Sequence, residues 1–503
     1  MRWVVIVCAA LAVFIAPALA IPTDDQAPPA DIAQARAKVQ AAEDLAGKNP
    51  LDGPLLVRRA KAAMDDPAFP QLSSDDQHEA RVLYGIGLLF SKDEAGALAA
   101  LNISSAMPDA DGRDWSFRLS AAWDMHDNKA AAESLLKLVL LVPERLDAHA
   151  DVVILNVAST ADRYLSPADT AQLLETLHAK GWHPSNPFWT AEALRLPLMR
   201  SRMARGDNAG AAALVAEIDA ATNLIVIRID KRFDAVSAQN ASQYDITAQL
   251  TRELVRAKAQ SAAMPDRLEG VVEVAVELLN AGRDNEALAV VDAALARLKS
   301  DPKAFSDAED KRNWILDTRA RLLYRLGRFD EALVLRVQAA QEKEDGGVNV
   351  SQAINLGDLY VDLGRPKDAL AAVSALGFMS GYGQMAFEGV RACAYAQLGD
   401  QVNLARSLGY LKSHSGDAPT AAANAELCAG DVDAAAAEII AQLENPQTRE
   451  NTLLSLQDYI DWRRAPFDAK MHAAWFAMRA RPDVQAEIAK VGGIESWPFS
   501  PQE

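Results

Sequence analysis

Apolar residues recur at three- and four-residue intervals along most of this 503-residue chain. That is the spacing of helices with one buried face, and the strict alternation of half-buried strands is scarce. The stretch NLGDLYVDLGRPKDAL, residues 355–370, holds two such stripes joined at Gly364. Neither is long enough to bury itself alone. Aligning other stretches on the joining glycine exposes a repeat. Gly282, Gly327, Gly364 and Gly430 are each followed, five positions on, by Ala287, Ala332, Ala369 and Ala435 respectively. After Gly399 that position holds Leu404, with Ala405 one place late. The steps from Gly327 to Gly364 and on to Gly399 are 37 and 35 residues, the length of a two-helix repeat. A wider gap of 45 residues separates Gly282 from Gly327.

The residue types suit such pairs. Glycine at 364 can take the left-handed turn that ends a first helix, and Pro366 suits the first turn of the next, where its missing N–H costs least. Small residues at Gly357 and Ala369 let two helices approach closely, while Tyr360 and Leu363 fill the angle between them. The pattern divides the chain into residues 31–265, read as irregular helical pairs, 266–445, read as regular pairs, and 446–503, read as capping helices. In the last segment Trp462, Phe467, Trp475 and Phe476 are expected to cover the exposed end of the final pair. NLIVIRI, residues 223–229, is β-branched; it reads as a buried helix, with an isolated strand as the alternative.

The order small residue, aromatic, Leu-Gly, acidic, Ala-Leu recurs in ARLLYRLGRFDEALVLRVQAA, residues 320–340, and in the 355–370 stretch. Over residues 270–442 this resembles the tetratricopeptide repeat (TPR) family, with Leu356, Gly357, Tyr360, Gly364 and Ala369 at its signature positions. Weaker copies come earlier. Trp115, Ala131 and Pro143 match the family's aromatic, alanine and closing proline, although Asp127 and Asn128 stand in place of the turn glycine; Gly206 and Ala211 form another partial copy. The resemblance implies an all-α, right-handed superhelical solenoid of antiparallel helix pairs, irregular in its amino-terminal half. Its concave groove would be lined by first helices and would take a protein or peptide partner. On this alignment Trp314, Asp317, Arg321, Tyr324 and Arg325 face the groove, followed by Ile354, Asp358 and Asp362.

Composition narrows the setting. Arg2 precedes an uncharged run from Trp3 to Ala20 that closes on Ala-Leu-Ala, the pattern of a cleaved export signal; an uncleaved membrane anchor is the alternative. Residues 21–30 then form a polar, mobile leader, and no later stretch is apolar for long enough to span a bilayer. The formal net charge of -18 repels phosphate backbones and anionic lipid heads, which disfavours nucleic acid and membrane surfaces as partners. Asn102, Asn240 and Asn349 begin glycosylation triplets, relevant only in a eukaryotic secretory route, whereas the alanine-rich composition and plain signal look bacterial. Cys393 and Cys428 are too few for a disulfide-built domain. They read as two buried thiols, with a cross-link as the alternative because they fall in first helices of successive pairs.

No catalytic, cofactor or metal site is legible. The seven histidines include no i, i+4 pair of the kind that holds zinc on a helix, and at His78-Glu79 the second ligand position holds Val82. DADGRD, residues 109–114, resembles part of a calcium loop, but Arg118 stands where the closing glutamate belongs; a turn with Asp114 capping the helix at Trp115 is expected instead. There is no phosphate-cradling glycine loop and no Gly-x-Ser-x-Gly elbow. A non-enzymatic periplasmic scaffold or adaptor is the expected function. An enzyme, or enzyme subunit, of envelope polysaccharide metabolism is the alternative.

Overall fold

The computed structural model describes residues 29–238, 244–343, 347–377, 379 and 381–500. The export signal, most of the leader and the Asn240 triplet lie outside the described residues. Two compact units divide at Arg205 and Gly206. The amino-terminal unit holds α1 (Ala30–Ala46), α2 (Gly53–Met64), α3 (Ser74–Phe90), α4 (Glu94–Ser104), α5 (Gly112–Asp124), α6 (Asn128–Leu141), α7 (Asp151–Ser159), α8 (Pro167–Ala179) and α9 (Arg195–Ala204). The carboxy-terminal unit begins with α10 (Asn208–Ala213), α11 (Ala221–Ile229), α12 (Asp234–Ser237) and α13 (Ile246–Ala263). Its hairpins follow: α14 (Leu268–Asn280) with α15 (Asp284–Ser300), α16 (Ala308–Arg325) with α17 (Phe329–Gln341), α18 (Val350–Asp362) with α19 (Pro366–Val373), α20 (Gly381–Leu398) with α21 (Gln401–Ser413), and α22 (Ala421–Ala429) with α23 (Val432–Glu444). It ends with α24 (Arg449–Ser455), α25 (Pro466–Arg479) and α26 (Pro482–Val491). Among the described residues there is no β-strand; isolated bridges pair Asp230 with Gly492 and Asp458 with Ser496. The 223–229 run is helical, and Leu224, Ile225, Val226, Ile227 and Ile229 are all buried on it.

One turn design makes the hairpins of both units. Gly282, Gly327, Gly364, Gly399 and Gly430 adopt φ between 68° and 81°. In each case the next residue's N–H reaches back to a carbonyl in the last turn of the preceding helix: Arg283 to Leu278, Arg328 to Leu323, Arg365 to Tyr360, Asp400 to Tyr395 and Asp431 to Glu426. These bonds satisfy carbonyls that the helix end would otherwise orphan. Two hairpins of the amino-terminal unit do the same without glycine. Lys92 and His126 take φ of 65° and 57°, and Asp93 and Asp127 bond back to Leu88 and Ala122. Asp127 and Asn128 therefore do not replace the turn glycine; His126 does. The residue after the turn then starts the second helix in one of two ways. Asp93, Asp127, Asp207, Asp400 and Asp431 accept the backbone N–H three residues on, at 2.8–3.2 Å, the usual aspartate N-cap. Arg283, Arg328 and Arg365 instead pair with Glu286, Glu331 and Asp368 across the first turn.

Five residues past the turn the chain is buried in both units. Ala97, Ala131, Ala287, Ala332, Ala369 and Ala435 are all 0% exposed, and Leu404 is 3% exposed. Alanine there lets the second helix press on the first. Gly357 has the same duty on α18, where a Cβ would stand 2.9 Å from Val390 and 3.0 Å from Val373. A separate correction concerns the DADGRD turn. Its helix cap is Asp111 rather than Asp114, and Asp114 closes a capping box by accepting the Asp111 N–H at 2.9 Å.

Successive first helices lie side by side, which decides the fate of the thiols. Cys393 on α20 and Cys428 on α22 are one repeat apart, their Cα atoms are 5.1 Å apart, and they form a disulfide. The expectation of two buried thiols is thus overturned, because equivalent positions on neighbouring first helices meet. At the start of the stack Glu253 on α13 meets Glu277 on α14, and Glu273 on α14 lies near Glu277 and Glu269. Burial, then Glu277, raises Glu253 to about 7; burial, then Glu277 and Glu269, raises Glu273 to about 7, against Lys311 and Arg256. Glu253 also accepts the Ala221 N–H at 2.7 Å, at the start of α11.

Two predictions follow from these placements. Thiol labelling should find Cys393 and Cys428 reactive only after reduction, and Cys428→Ser should cost roughly 2–4 kcal/mol in denaturant unfolding of the unreduced chain, for a closed loop of this length; labelling of both without reduction contradicts the bond. The second concerns pH. A carboxyl whose folded pKa is raised binds its proton more tightly in the native state, so its contribution is present at low pH and is lost as pH rises from 4.5 to about 7. Glu273→Gln should therefore flatten that decline and raise stability at pH 8 by on the order of 2 kcal/mol, read from denaturant midpoints at pH 5 and pH 8. An unchanged slope contradicts the assignment.

Candidate functional site

On α16 the residues Trp314, Asp317, Arg321, Tyr324 and Arg325 are three, four or one positions apart, and on α18 Ile354, Asp358 and Asp362 are four apart. Each set shares one side of its helix. The chain's own last segment covers part of that side, at Tyr324, Arg325 and the Ile354 cluster. Residues 456–500 leave the last hairpin, return to the first, and run back along the ends of the first helices.

The path of that strap can be followed contact by contact. Ile460 covers the α14–α15 turn, where a Cβ on Gly282 would lie 2.9 Å from its Cδ1. The aliphatic stem of Arg463 lies against Gly327 at the α16–α17 turn. Phe467 packs on the core of α18, α19 and α20 formed by Ile354, Val361, Ala369, Val373, Val390 and Ala394. Helix α25 then packs on α22 and α23, and α26 on α23. Beyond α26 the chain returns to its starting point: Ser500 N–H donates to the Asn280 carbonyl at 2.8 Å, Gly493 N–H to Ile229 at 2.9 Å and Trp497 N–H to Asp458 at 2.8 Å. Of the four aromatic residues expected to cap the last pair, Trp462 lies at α16 and Phe467 at α18, while Trp475 and Phe476 are on α25, the helix that packs on α22 and α23.

Two predicted site residues grip the strap directly. The Tyr324 hydroxyl donates to Asp468 Oδ2 at 2.6 Å and accepts the Ala465 N–H at 3.3 Å. Burial, then the carboxylates of Asp362 and Asp468, hold its pKa far above the ordinary value, so it remains a donor. The Arg325 guanidinium lies 4.8 Å from the Trp462 ring centroid and is held there by Asp284 at 3.1 Å. Arg464 lies over the same ring at 4.3 Å, so two cations contact the indole.

The others sit deeper or beside this contact. Asp317 is 4% exposed, accepts from Asn355 at 2.9 Å and pairs with Arg336, which reaches it from the second helix α17. Burial pulls Arg336 down to about 10, opposed by Asp358 and Asp362, so it stays a cation at neutral pH. Ile354 is a core residue, 5% exposed. It is corrected from groove lining to packing, because Phe467 and its neighbours enclose that cluster. Trp314, Arg321 and Asp362 are half-buried, and Asp358 is exposed. Asp284, Arg336 and Asp468 were not among the predicted residues. Only Asp284 had a local signal, as the acidic residue two positions past the Gly282 turn.

The amino-terminal unit carries a separate buried pair. His78 Nε2 and Asp114 Oδ2 are 2.7 Å apart and join α3 to α5; burial lowers the imidazole pKa, but the hydrogen bond and charge of Asp114 outweigh it and the net shift is upward. His149 bonds Ser116 at 2.9 Å, and burial pushes it down to about 4. Ser116 is 6% exposed, which closes it to a substrate. Among the described residues no three His, Cys, Asp or Glu converge to hold a metal ion.

No protein-family model matches the chain, and no curated protein sequence matches it. Solved structures similar to it include two at low identity. One is the structure of Naa15/Naa10 bound to HypK-THB, at 13% identity, covering 88% of this chain and 68% of that one, with a TM-score of 0.23. The other is the crystal structure of the APC/C hetero-tetramer Cut9–Hcn1, at 12% identity, covering 91% and 93%, with a TM-score of 0.30. Both superpositions are loose.

Proposed function

We propose that this chain is a non-enzymatic scaffold or adaptor of the bacterial periplasm that binds protein or peptide partners on the first-helix side of its repeats. The observation that carries the reading is the strap itself. A face that seats an irregular stretch, Asp461–Ala465, through a cation–π contact and a shared tyrosine hydroxyl has the chemistry to seat a polypeptide. The succession of near-equivalent first helices extends that chemistry over several repeats. The Cys393–Cys428 bond supports an oxidising compartment, in keeping with the signal-like first twenty residues. No helix among the described residues is long and apolar enough to cross a membrane.

The test is affinity capture from envelope extracts with the full chain and with its Arg325→Ala variant, alongside a glycan and peptide turnover screen of the purified chain. The expected result is a defined protein partner retained by the parent chain, at least tenfold depleted on the variant, with no turnover. Hydrolysis or transfer by the purified chain contradicts the reading and favours an enzyme of envelope polysaccharide metabolism.

A further inference from the structure

The strap is held by two unlike kinds of contact. Its ends are apolar and buried: Leu453 and Leu456 are 0% exposed, Val484 0%, Ile488 3%, Trp497 5% and Phe499 3%. Backbone bonds from Asp458 to Glu495 and from Ile460 to Phe499 tie these ends to each other, so each supports the other independently of the middle. The middle is different. Asp461–Ala465 has no regular secondary structure, and Asp461, Arg463 and Pro466 are exposed. Over Asp461–Ala465 its grip on the repeats comes from the Trp462 ring on Arg325, the Arg463 side chain on Gly327 and the Ala465 N–H on Tyr324; just beyond, at the start of α25, Phe467 packs on the α18–α20 core and Asp468 accepts from Tyr324. Ala465 and Arg325 are buried, at 0% and 8% exposed, but one cation–π contact and single hydrogen bonds hold less firmly than a run of buried leucine, valine and isoleucine side chains. Such a stretch opens locally while its flanks stay closed.

We propose that Asp461–Asp468 is an intrachain ligand of the first-helix face, and that the outside partner is a peptide of the same chemistry. Such a peptide places an aromatic side chain on Arg325 and, about six residues on, a carboxylate on Tyr324, as Trp462 and Asp468 do. It enters by displacing the middle of the strap while residues 453–460 and 482–500 remain anchored. The identity of the outside partner as a peptide rests on the scaffold reading; the intrachain contact does not.

A fluorescein-labelled peptide with the sequence of residues 459–470, YIDWRRAPFDAK, tests this by anisotropy against the full chain. Binding to the Trp462→Ala chain should be at least tenfold tighter than to the parent, whose own stretch competes, and should fall at least tenfold when Arg325→Ala is added. A peptide carrying Asp468→Asn should bind more weakly to the Trp462→Ala chain. Equal binding to all three chains, or none to the Trp462→Ala chain, overturns the proposal. Hydrogen exchange on the unaltered chain gives a readout that needs no variant to fold. The amides of residues 462–465 should exchange at least tenfold faster than those of 484–488, and joint exchange of the two sets overturns displacement. If the peptide binds as expected while envelope capture recovers no protein, the intrachain ligand stands and the scaffold reading falls.

Discussion

A helical hairpin of two short amphipathic helices leaves apolar surface uncovered, and every other feature of the carboxy-terminal unit answers that constraint. Each hairpin is covered by the next, through a buried alanine five residues past the turn that lets the helices meet. What neighbours leave uncovered along the first-helix ends is covered by the chain's own last segment. The strap begins after the final hairpin, starts its return at the first, and ends there as well, so that Asn280 near residue 280 bonds Ser500. Stacking alone is local and additive; this return joins the two ends of the stack and makes the repeats depend on one another.

Charge in the unit follows the same geometry. The overall excess of carboxylates sits mainly in solvent, but several arginines are drawn inward to serve the strap and the hairpin interfaces. Arg325 faces Trp462 on one side and Asp284 on the other, and Arg336 reaches Asp317 beneath α18. These are buried or half-buried charges whose partners must stay in place, because a lone charge in such a site is far more costly than the pair. They tie the register of one hairpin to the next more specifically than apolar contact can. The Cys393–Cys428 bond adds a covalent tie between first helices near the far end of the stack.

Much of this was legible in the sequence, and the boundary of legibility has a physical cause. The hairpins from α14 to α23 announce themselves because glycine is the residue that takes a left-handed turn without strain, and alanine five places on marks the close contact. The α3–α4 and α5–α6 hairpins use the same turn with Lys92 and His126, so a search for glycine passes over them. Their remaining signal, an aspartate cap followed four residues later by buried alanine at Asp93–Ala97 and Asp127–Ala131, was available. Tyr324 and Arg325 were nominated as groove residues by the alignment on the repeat the chain resembles, and the structure brings both to the strap. Their partners Asp468 and Trp462 lie more than a hundred residues away in sequence. No spacing rule reaches that far, which is why the final segment reads from sequence as an end cap and Ile354 as groove lining.

The central claim is that the last segment lies along the first-helix ends within the same chain, and a photo-crosslinker placed at Arg463 examines it most directly. That side chain is exposed yet rests on the α16–α17 turn. Irradiation followed by peptide mapping should give an intrachain adduct confined to the residues around Gly327. Adducts scattered over the surface, or formed only between two copies of the chain, would contradict the account.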